Sequence, residues 1–337
     1  MKKHVNIPIF IPHYGCPNDC VFCNQRKITG KPCYDRDSVI AEISQALSTI
    51  DKDKTEIELA FFGGSFTAIP ENEMLGLLAI SDIFLSDGKI SSVRLSTRPD
   101  AINSRILQIL ASHGVKTIEL GLQSFSDTVL LASKRGHNAY QSEKACRLIK
   151  ANGFTLIGQM MVGLPSSTVD DEIYTANKIC ELGCDGARIY PTVVFPDTEL
   201  DKMKLRGEYT PLTIEDAINR SAEVFSIFAE NEVPVIRIGL CANETLTSDI
   251  YLENYHPSIG ELIINKFYLT KMQSTLTIFE DLVGKTACFT VAKGKISQAV
   301  GQKRANVLAL KKQFNLKDVI IEENDEIRAF SLLVDIK

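Results

Sequence analysis

His13-Tyr14-Gly15-Cys16-Pro17-Asn18-Asp19-Cys20-Val21-Phe22-Cys23 stands directly behind an apolar run, His4–Ile11. Three thiols, separated by three and then two residues, fall on one short loop and can point to one centre. Polar and turn-forming neighbours make buried free thiols the weaker reading. A 4Fe–4S cluster ordinarily takes four cysteines, one per iron, so three ligands leave one iron with an open position for another molecule. Zinc competes for such soft donors, but structural zinc sites are four-coordinate and commonly built from paired two-cysteine knuckles, which this loop does not show. Cys33 or His13 could add a fourth ligand, so spacing alone points to a metal, with iron–sulfur ahead of zinc.

The run before the cysteines is the first of six. Glu56–Phe62, Ser92–Thr97, Lys116–Leu122, Phe154–Val162 and Gly186–Tyr190 are mostly continuous in apolar character, as strands covered on both faces are. Between them Asp37–Ile50, Glu71–Leu85 and Ser142–Asn152 carry apolar residues at helical spacing, and Gly114 and Gly153 fall at C-cap positions. The alternation predicts βα units around a parallel sheet, hence an α/β fold. Six units do not close an eight-stranded barrel, so a partial (β/α)6 barrel is expected, with an open doubly wound sheet as the alternative. After Tyr190 the alternation breaks at Pro191, Pro196 and Pro211, ahead of a long amphipathic helix from Ile214 to Asn231.

The chain has 337 residues and a net charge of -5, yet no aspartate or glutamate occurs between Lys285 and Lys317. That asymmetry sets off a small basic unit. Three domains follow: residues 1–195, the partial barrel; 196–284, an extension of it; and 285–337, a small α+β domain. The acidic balance argues against a wholly basic, nucleic-acid-coating surface but allows a local patch. No apolar stretch approaches the roughly 20 residues that span a bilayer, and the N-terminus leads into no cleavage site, so no membrane partner is expected. Nine cysteines without a secreted context fit reduced thiols, and a cytoplasmic location is expected.

Barrel enzymes gather functional residues at the C-terminal ends of strands. The expected ends read Phe61-Phe62-Gly63-Gly64-Ser65-Phe66, Ser96-Thr97-Arg98-Pro99-Asp100, Glu119-Leu120-Gly121-Leu122-Gln123-Ser124 and Gln159-Met160-Met161-Val162-Gly163-Leu164-Pro165. A Gly-Gly pair lets backbone approach a ligand closely, though alone it is more often only a turn. Met160 and Met161 read as core.

Cys-x3-Cys-x-Phe-Cys after a first strand resembles the signature of the radical S-adenosylmethionine (SAM) superfamily. The resemblance implies that Cys16, Cys20 and Cys23 hold a 4Fe–4S cluster and that SAM chelates the fourth iron through its amino and carboxylate groups. One electron, from a donor such as a ferredoxin or flavodoxin, then breaks a carbon–sulfur bond of SAM and gives methionine and a 5′-deoxyadenosyl radical. In such proteins the Gly63-Gly64-Ser65 stretch contacts the amino group of SAM. Similarity to the oxygen-independent coproporphyrinogen oxidase branch implies that Ser96, Gln123 and Arg135 face SAM, with Arg135 pairing its carboxylate. Gln159 would reach the ribose, and Gly163-Leu164-Pro165 would pass the adenine.

From Glu119 to Leu240 the chain resembles the catalytic subunit of Elongator, Elongator protein 3. The matching pieces, in that family's order, are Glu119–Ser124, Arg135-Gly136-His137, Gly163–Pro165, Arg188-Ile189-Tyr190-Pro191-Thr192 and Gly207–Pro211. That family modifies the wobble uridine of tRNA with a radical SAM domain and an acetyltransferase domain. Here the cysteine spacing is tighter, Gln159 stands where the family has histidine, and no acetyl-CoA pyrophosphate loop is recognisable after Leu240. Beyond, Ala287–Ala292 reads as a strand, Ile296–Val300 and Ala305–Phe314 as helices around the turn Gly301-Gln302-Lys303-Arg304, and Val319–Glu322 as a strand. This layout resembles a KH RNA-binding module, whose Gly-x-x-Gly loop clamps nucleotide backbone. Arg304 replaces the second glycine, and with Lys303 it could meet phosphate directly. A solvated basic surface is the other reading.

The expectation is therefore a radical SAM enzyme acting on RNA, in particular tRNA. A small-molecule enzyme of the coproporphyrinogen oxidase branch, or a non-catalytic RNA-binding protein with structural iron–sulfur or zinc, are the alternatives.

Overall fold

The computed structural model describes residues 3–11, 20–23, 35–240 and 255–337; His13, Cys16 and Cys33 lie outside them. Seven strands, adjacent in chain order, form one curled parallel sheet: β1 (Lys3–Ile11), β2 (Thr55–Gly63), β3 (Ser92–Thr97), β4 (Val115–Gln123), β5 (Thr155–Val162), β6 (Gly186–Pro191) and β7 (Val235–Ile238). Helices return the chain between them: α1 (Arg36–Ser48), α2 (Glu71–Ser86), α3 (Ser104–Ser112), α4 (Asp127–Ala132), α5 (Ala139–Ala151), α6 (Val169–Glu181), α7 (Glu199–Leu205) and α8 (Ile214–Glu230). Local chemistry fixes their starts. The side chains of Asp35, Asn138 and Thr168 each accept the N3 amide of the helix they begin, satisfying a donor that the helix itself cannot.

The partial barrel stands with one strand more than expected. Strand β7 has four residues, none fully buried, between Pro234 and Gly239, too short and too exposed to read as an apolar run. It pairs in parallel with β6, and the connection between the two strands runs through α7 and α8.

Period-two alternation separates two kinds of interior. Ile118, Leu120 and Leu122 of β4 point into the main core with Val39, Ile43 and Leu47 of α1 among its members. Their neighbours Thr117, Glu119, Gly121 and Gln123 occupy the other face, and all four are buried as well. That second face holds charges, described below.

Past α9 (Ile259–Leu276), the small unit runs β8 (Thr286–Ala292), α10 (Ile296–Val300), α11 (Ala305–Phe314), β9 (Asp318–Asn324) and β10 (Leu332–Ile336). The sheet is mixed, in order β10-β8-β9, with β8 parallel to β9 and antiparallel to β10. The expected strand–helix–turn–helix–strand order is present. Strand β10 is the addition, a short edge of intermediate and exposed residues whose apolar run, Leu332–Val334, is only three residues long. Asn306 of α11 donates to the carbonyls of Asn265 in α9 and Ala299 in α10, tying the turn at Gly301 to the preceding helix.

Candidate cluster and SAM site

Cys20 and Cys23 lie on a turn closed by the Cys23 amide on the Cys20 carbonyl, 3.0 Å. The turn is held from two sides. Val21 N donates to Ser133 O at 3.2 Å, behind α4, and Leu200 N of α7 donates to Val21 O at 2.8 Å. Val21 itself is fully buried against Val194, Leu200 and Tyr209. The loop after β1 is thus fastened across the loops that follow β4 and β6, at the C-terminal end of the sheet.

Two buried guanidinium groups meet the Cys20 sulfur. Arg135 Nη1 donates to Sγ at 3.3 Å while Nη2 donates to Gly121 O at 2.6 Å. Arg98 Nη1 is 3.9 Å from the same sulfur. A Cβ at Gly121 would come within 2.8 Å of Arg135 Nη2, so the approach needs glycine there. Arg98 is bidentate on Asp100, at 2.9 and 3.2 Å, and its Nη2 also donates to the carbonyl of Arg135. His137 is pushed down to about 3, first by burial and then by the Arg135 charge, and stays neutral near pH 7.

The fit to an anionic cluster rests on Arg135. It is buried, its Nε lacks a partner, and no carboxylate pairs with it among the described residues. An isolated buried cation is expensive unless an anion accompanies it. A metal-held thiolate at Cys20 would supply that anion, and soft thiolates suit iron–sulfur or zinc. An open groove of about 1020 Å³, within the size range of small-molecule sites, runs beside this pair and is lined by Leu130, Lys134, Arg135, His137, Asn138 and Lys202 among others.

Of the residues expected to face SAM, Gln123 and Arg135 come together at Gly121, whose added Cβ would lie 3.1 Å from Gln123 Nε2. Gln123 ends β4 at a register shift with φ 67°, and its buried Oε1 has no partner among the described residues. Gln159 lies level with Gly121 on one side and Arg188 on the other. Ser96 is one pair deeper, donating to Glu119 Oε2 at 3.4 Å. Gly63 and Gly64 close on β1, where Gly64 N donates to Ile11 O at 2.9 Å, and Ser65 is buried behind them. Gly63 has φ +107°, and a Cβ there would lie 2.5 Å from Ile11 O. Gly63→Ala is expected to cost about 1–3 kcal/mol from backbone strain and this contact, measured by urea unfolding; an unchanged midpoint would show that the turn relaxes freely. Cys16 lies outside the described residues. Lys303 and Arg304 sit apart, exposed, in the small unit.

Sequence reading missed the charges on the polar face of the sheet. Glu119 Oε1 accepts from Arg94 at 2.8 Å and from Arg188 at 2.7 Å, and Arg94 Nε donates to Glu58 at 2.7 Å. Ser92 and Thr117 complete Glu58, and Arg188 lies over the Phe62 ring, 5.3 Å from its centroid. The signal was present as single charged residues in the middle of apolar strands, a placement that isolated surface strands do not need.

A model described as the radical SAM superfamily matches residues 10–179, half of the chain, and one described as the radical SAM C-terminal domain matches residues 184–268. An uncharacterized protein of Methanocaldococcus jannaschii is 29% identical over 222 residues, 63% of this chain and 68% of that protein. The tRNA uridine(34) acetyltransferase of Methanocaldococcus infernus is 33% identical over 130 residues, 37% of this chain and 24% of that protein. Among solved structures, Elongator protein 3 from the same archaeon, with an N-terminal deletion, superposes with a TM-score of 0.62 at 21% identity, covering 81% of this chain and 64% of that one. This chain therefore spans about a quarter of the acetyltransferase and under two thirds of the solved Elongator protein 3.

Proposed function

The chain belongs to the radical SAM superfamily, whose members bind a 4Fe–4S cluster and SAM, and on that premise we propose that it modifies RNA, with tRNA as the substrate class. When bound, cluster and SAM supply a 5′-deoxyadenosyl radical. The chain's own residues do the rest. Cys16, Cys20 and Cys23 would hold the irons. Gly63, Gly64 and Ser65 would offer backbone and hydroxyl to the amino group of SAM, Arg135 a guanidinium to its carboxylate, and Ser96, Gln123 and Gln159 polar contacts to the remainder. A small acidic one-electron carrier, a ferredoxin or flavodoxin, would supply the electron. None of the described helices is long and apolar enough to cross a membrane, and a cytoplasmic location is part of the proposal.

The observation that carries the RNA reading is the turn between α10 and α11. Gly301, Lys303 and Arg304 all have positive φ, at 75°, 51° and 62°, and both basic side chains are exposed. Two consecutive non-glycine residues in the left-handed region cost free energy that the fold has to offset elsewhere, and such strain gathers at functional sites. The likeness of part of the chain to a tRNA uridine(34) acetyltransferase points the same way.

Substituting Lys303 and Arg304 together by alanine is expected to weaken binding of transfer RNA and to reduce the slope of log affinity against log salt by about 1.5, since each lost phosphate contact removes roughly 0.7–0.9. Cluster content and SAM cleavage without RNA should stay as in the parent protein, because those residues lie in the barrel. Deleting the gene should alter a modified nucleoside in bulk tRNA, read by mass spectrometry of digested RNA. Unchanged nucleosides with altered porphyrins would transfer the function to a small-molecule substrate.

A further inference from the structure

We infer that Arg135 tunes the iron–sulfur site as well as lining it: its guanidinium holds the Cys20 thiolate and makes the cluster easier to reduce, with Arg98 as the positioning residue behind it. The inference rests on Cys20 being a cluster ligand.

The geometry separates the two arginines. Arg98 is almost fully buried but carries its own counter-charge, Asp100, gripped through Nε and Nη2. It also donates to the Arg135 carbonyl and, at 3.9 Å, reaches the Cys20 sulfur. Among the described residues, Arg135 is the one of the two without a counter-charge. Among the described residues its guanidinium touches the sulfur at 3.3 Å and a carbonyl, and no carboxylate pairs with it. The other titratable group against it, His137, is neutral near pH 7. The chain is built to keep it there. Lys134, at φ 51°, turns the backbone after α4, Arg135 N donates to Leu130 O at 2.9 Å, and Gly121 leaves the space that Nη2 occupies.

Reduction adds one electron, so the ligated site becomes one unit more negative. Hydrogen bonds to the sulfurs, net charge and burial set the potential of such clusters. A desolvated cation hydrogen-bonded to a ligand sulfur therefore favours the reduced form, and does so before SAM arrives. A SAM carboxylate paired with the guanidinium would offset part of its charge, so the effect on the potential is largest without SAM.

The test is a dithionite titration of the anaerobically reconstituted protein, followed by electron paramagnetic resonance, without SAM and then with it. At the potential where the parent cluster is half reduced, Arg135→Gln is expected to lower the ratio of reduced to oxidised cluster about tenfold, which for a one-electron couple is 59 mV. Arg135→Lys, which keeps the charge, should recover part of this loss. Arg98→Gln should shift the ratio in the same direction by less, because Asp100 already offsets Arg98. If Arg135→Gln assembles too little cluster to titrate, the lysine and Arg98 variants decide. Midpoints equal to the parent's in every variant without SAM would overturn the inference and leave Arg135 as a carboxylate contact alone. A parent protein that takes up zinc and no iron would overturn the cluster reading itself, an outcome visible before any arginine is changed.

Discussion

Replacing Cys20 or Cys23 by alanine is expected to abolish the broad visible absorption of the cluster and, with it, all formation of 5′-deoxyadenosine from SAM. On the proposed three-cysteine ligation one iron already lacks a protein ligand, and loss of a further cysteine leaves two of the four irons without one. The same outcome is expected for Cys16→Ala, whereas Cys33→Ala should keep both signals. The effect is on metal and chemistry, not on the fold. The turn carrying Cys20 is fastened through backbone bonds to Ser133 and Leu200 and through the buried Val21 side chain, none of which the substitution touches. Circular dichroism should therefore match the parent while iron and labile sulfide fall to background. Parent-level iron in Cys20→Ala would remove Cys20 from the ligand set, and stoichiometric zinc in the reconstituted parent would remove the cluster.

What the sequence disclosed depended on how each signal is written. The first six strands were legible because a strand buried on both faces is a continuous apolar run, and their ends fall within one or two residues of expectation. Strand β7 was not, because a four-residue edge between proline and glycine has no run to read. The pieces resembling Elongator protein 3 were legible as a list, but not their purpose. In space they bond to one another: Arg135 to Gly121, Arg188 to Glu119, and Tyr209, through its hydroxyl, to Gly163 O at 2.8 Å. Glu172 then holds the Gly163 amide at 2.6 Å and is itself held by Arg220. Spacing along a chain carries no information about such cross-strand partners. Arg98 escaped notice for the same reason. It stands beside the expected Ser96, and only the fold reveals that it reaches Cys20 and the carbonyl of Arg135.

The buried charges on the polar face of the sheet carry the second large effect. Glu119→Gln is expected to lower stability by about 3–5 kcal/mol, because it leaves desolvated arginines without their counter-charge. Glu119 is 1% exposed, and its Oε1 serves Arg94 and Arg188 together. Arg94 would retain Glu58, but among the described residues Arg188 would keep only the Tyr190 hydroxyl at 3.1 Å and the face of Phe62. Distance alone does not set this magnitude. Arg105 and Glu71 pair bidentately at 2.8 and 2.6 Å, as short as the buried pairs, yet both are exposed to water. Glu71→Gln should therefore cost far less, because water screens the exposed pair. Urea unfolding of the two variants side by side measures the difference that burial makes. A loss below about 1 kcal/mol in Glu119→Gln would mean that water in the half-open barrel solvates Arg188 as well as the carboxylate did. The larger loss has a consequence for the site. Ser96 hydrogen-bonds the same carboxylate, and Arg188 lies level with Gln159, so Glu119 ties β3, which carries Ser96, to β6, the neighbour of the strand that carries Gln159. SAM affinity should then fall in Glu119→Gln even at urea concentrations where the variant remains folded.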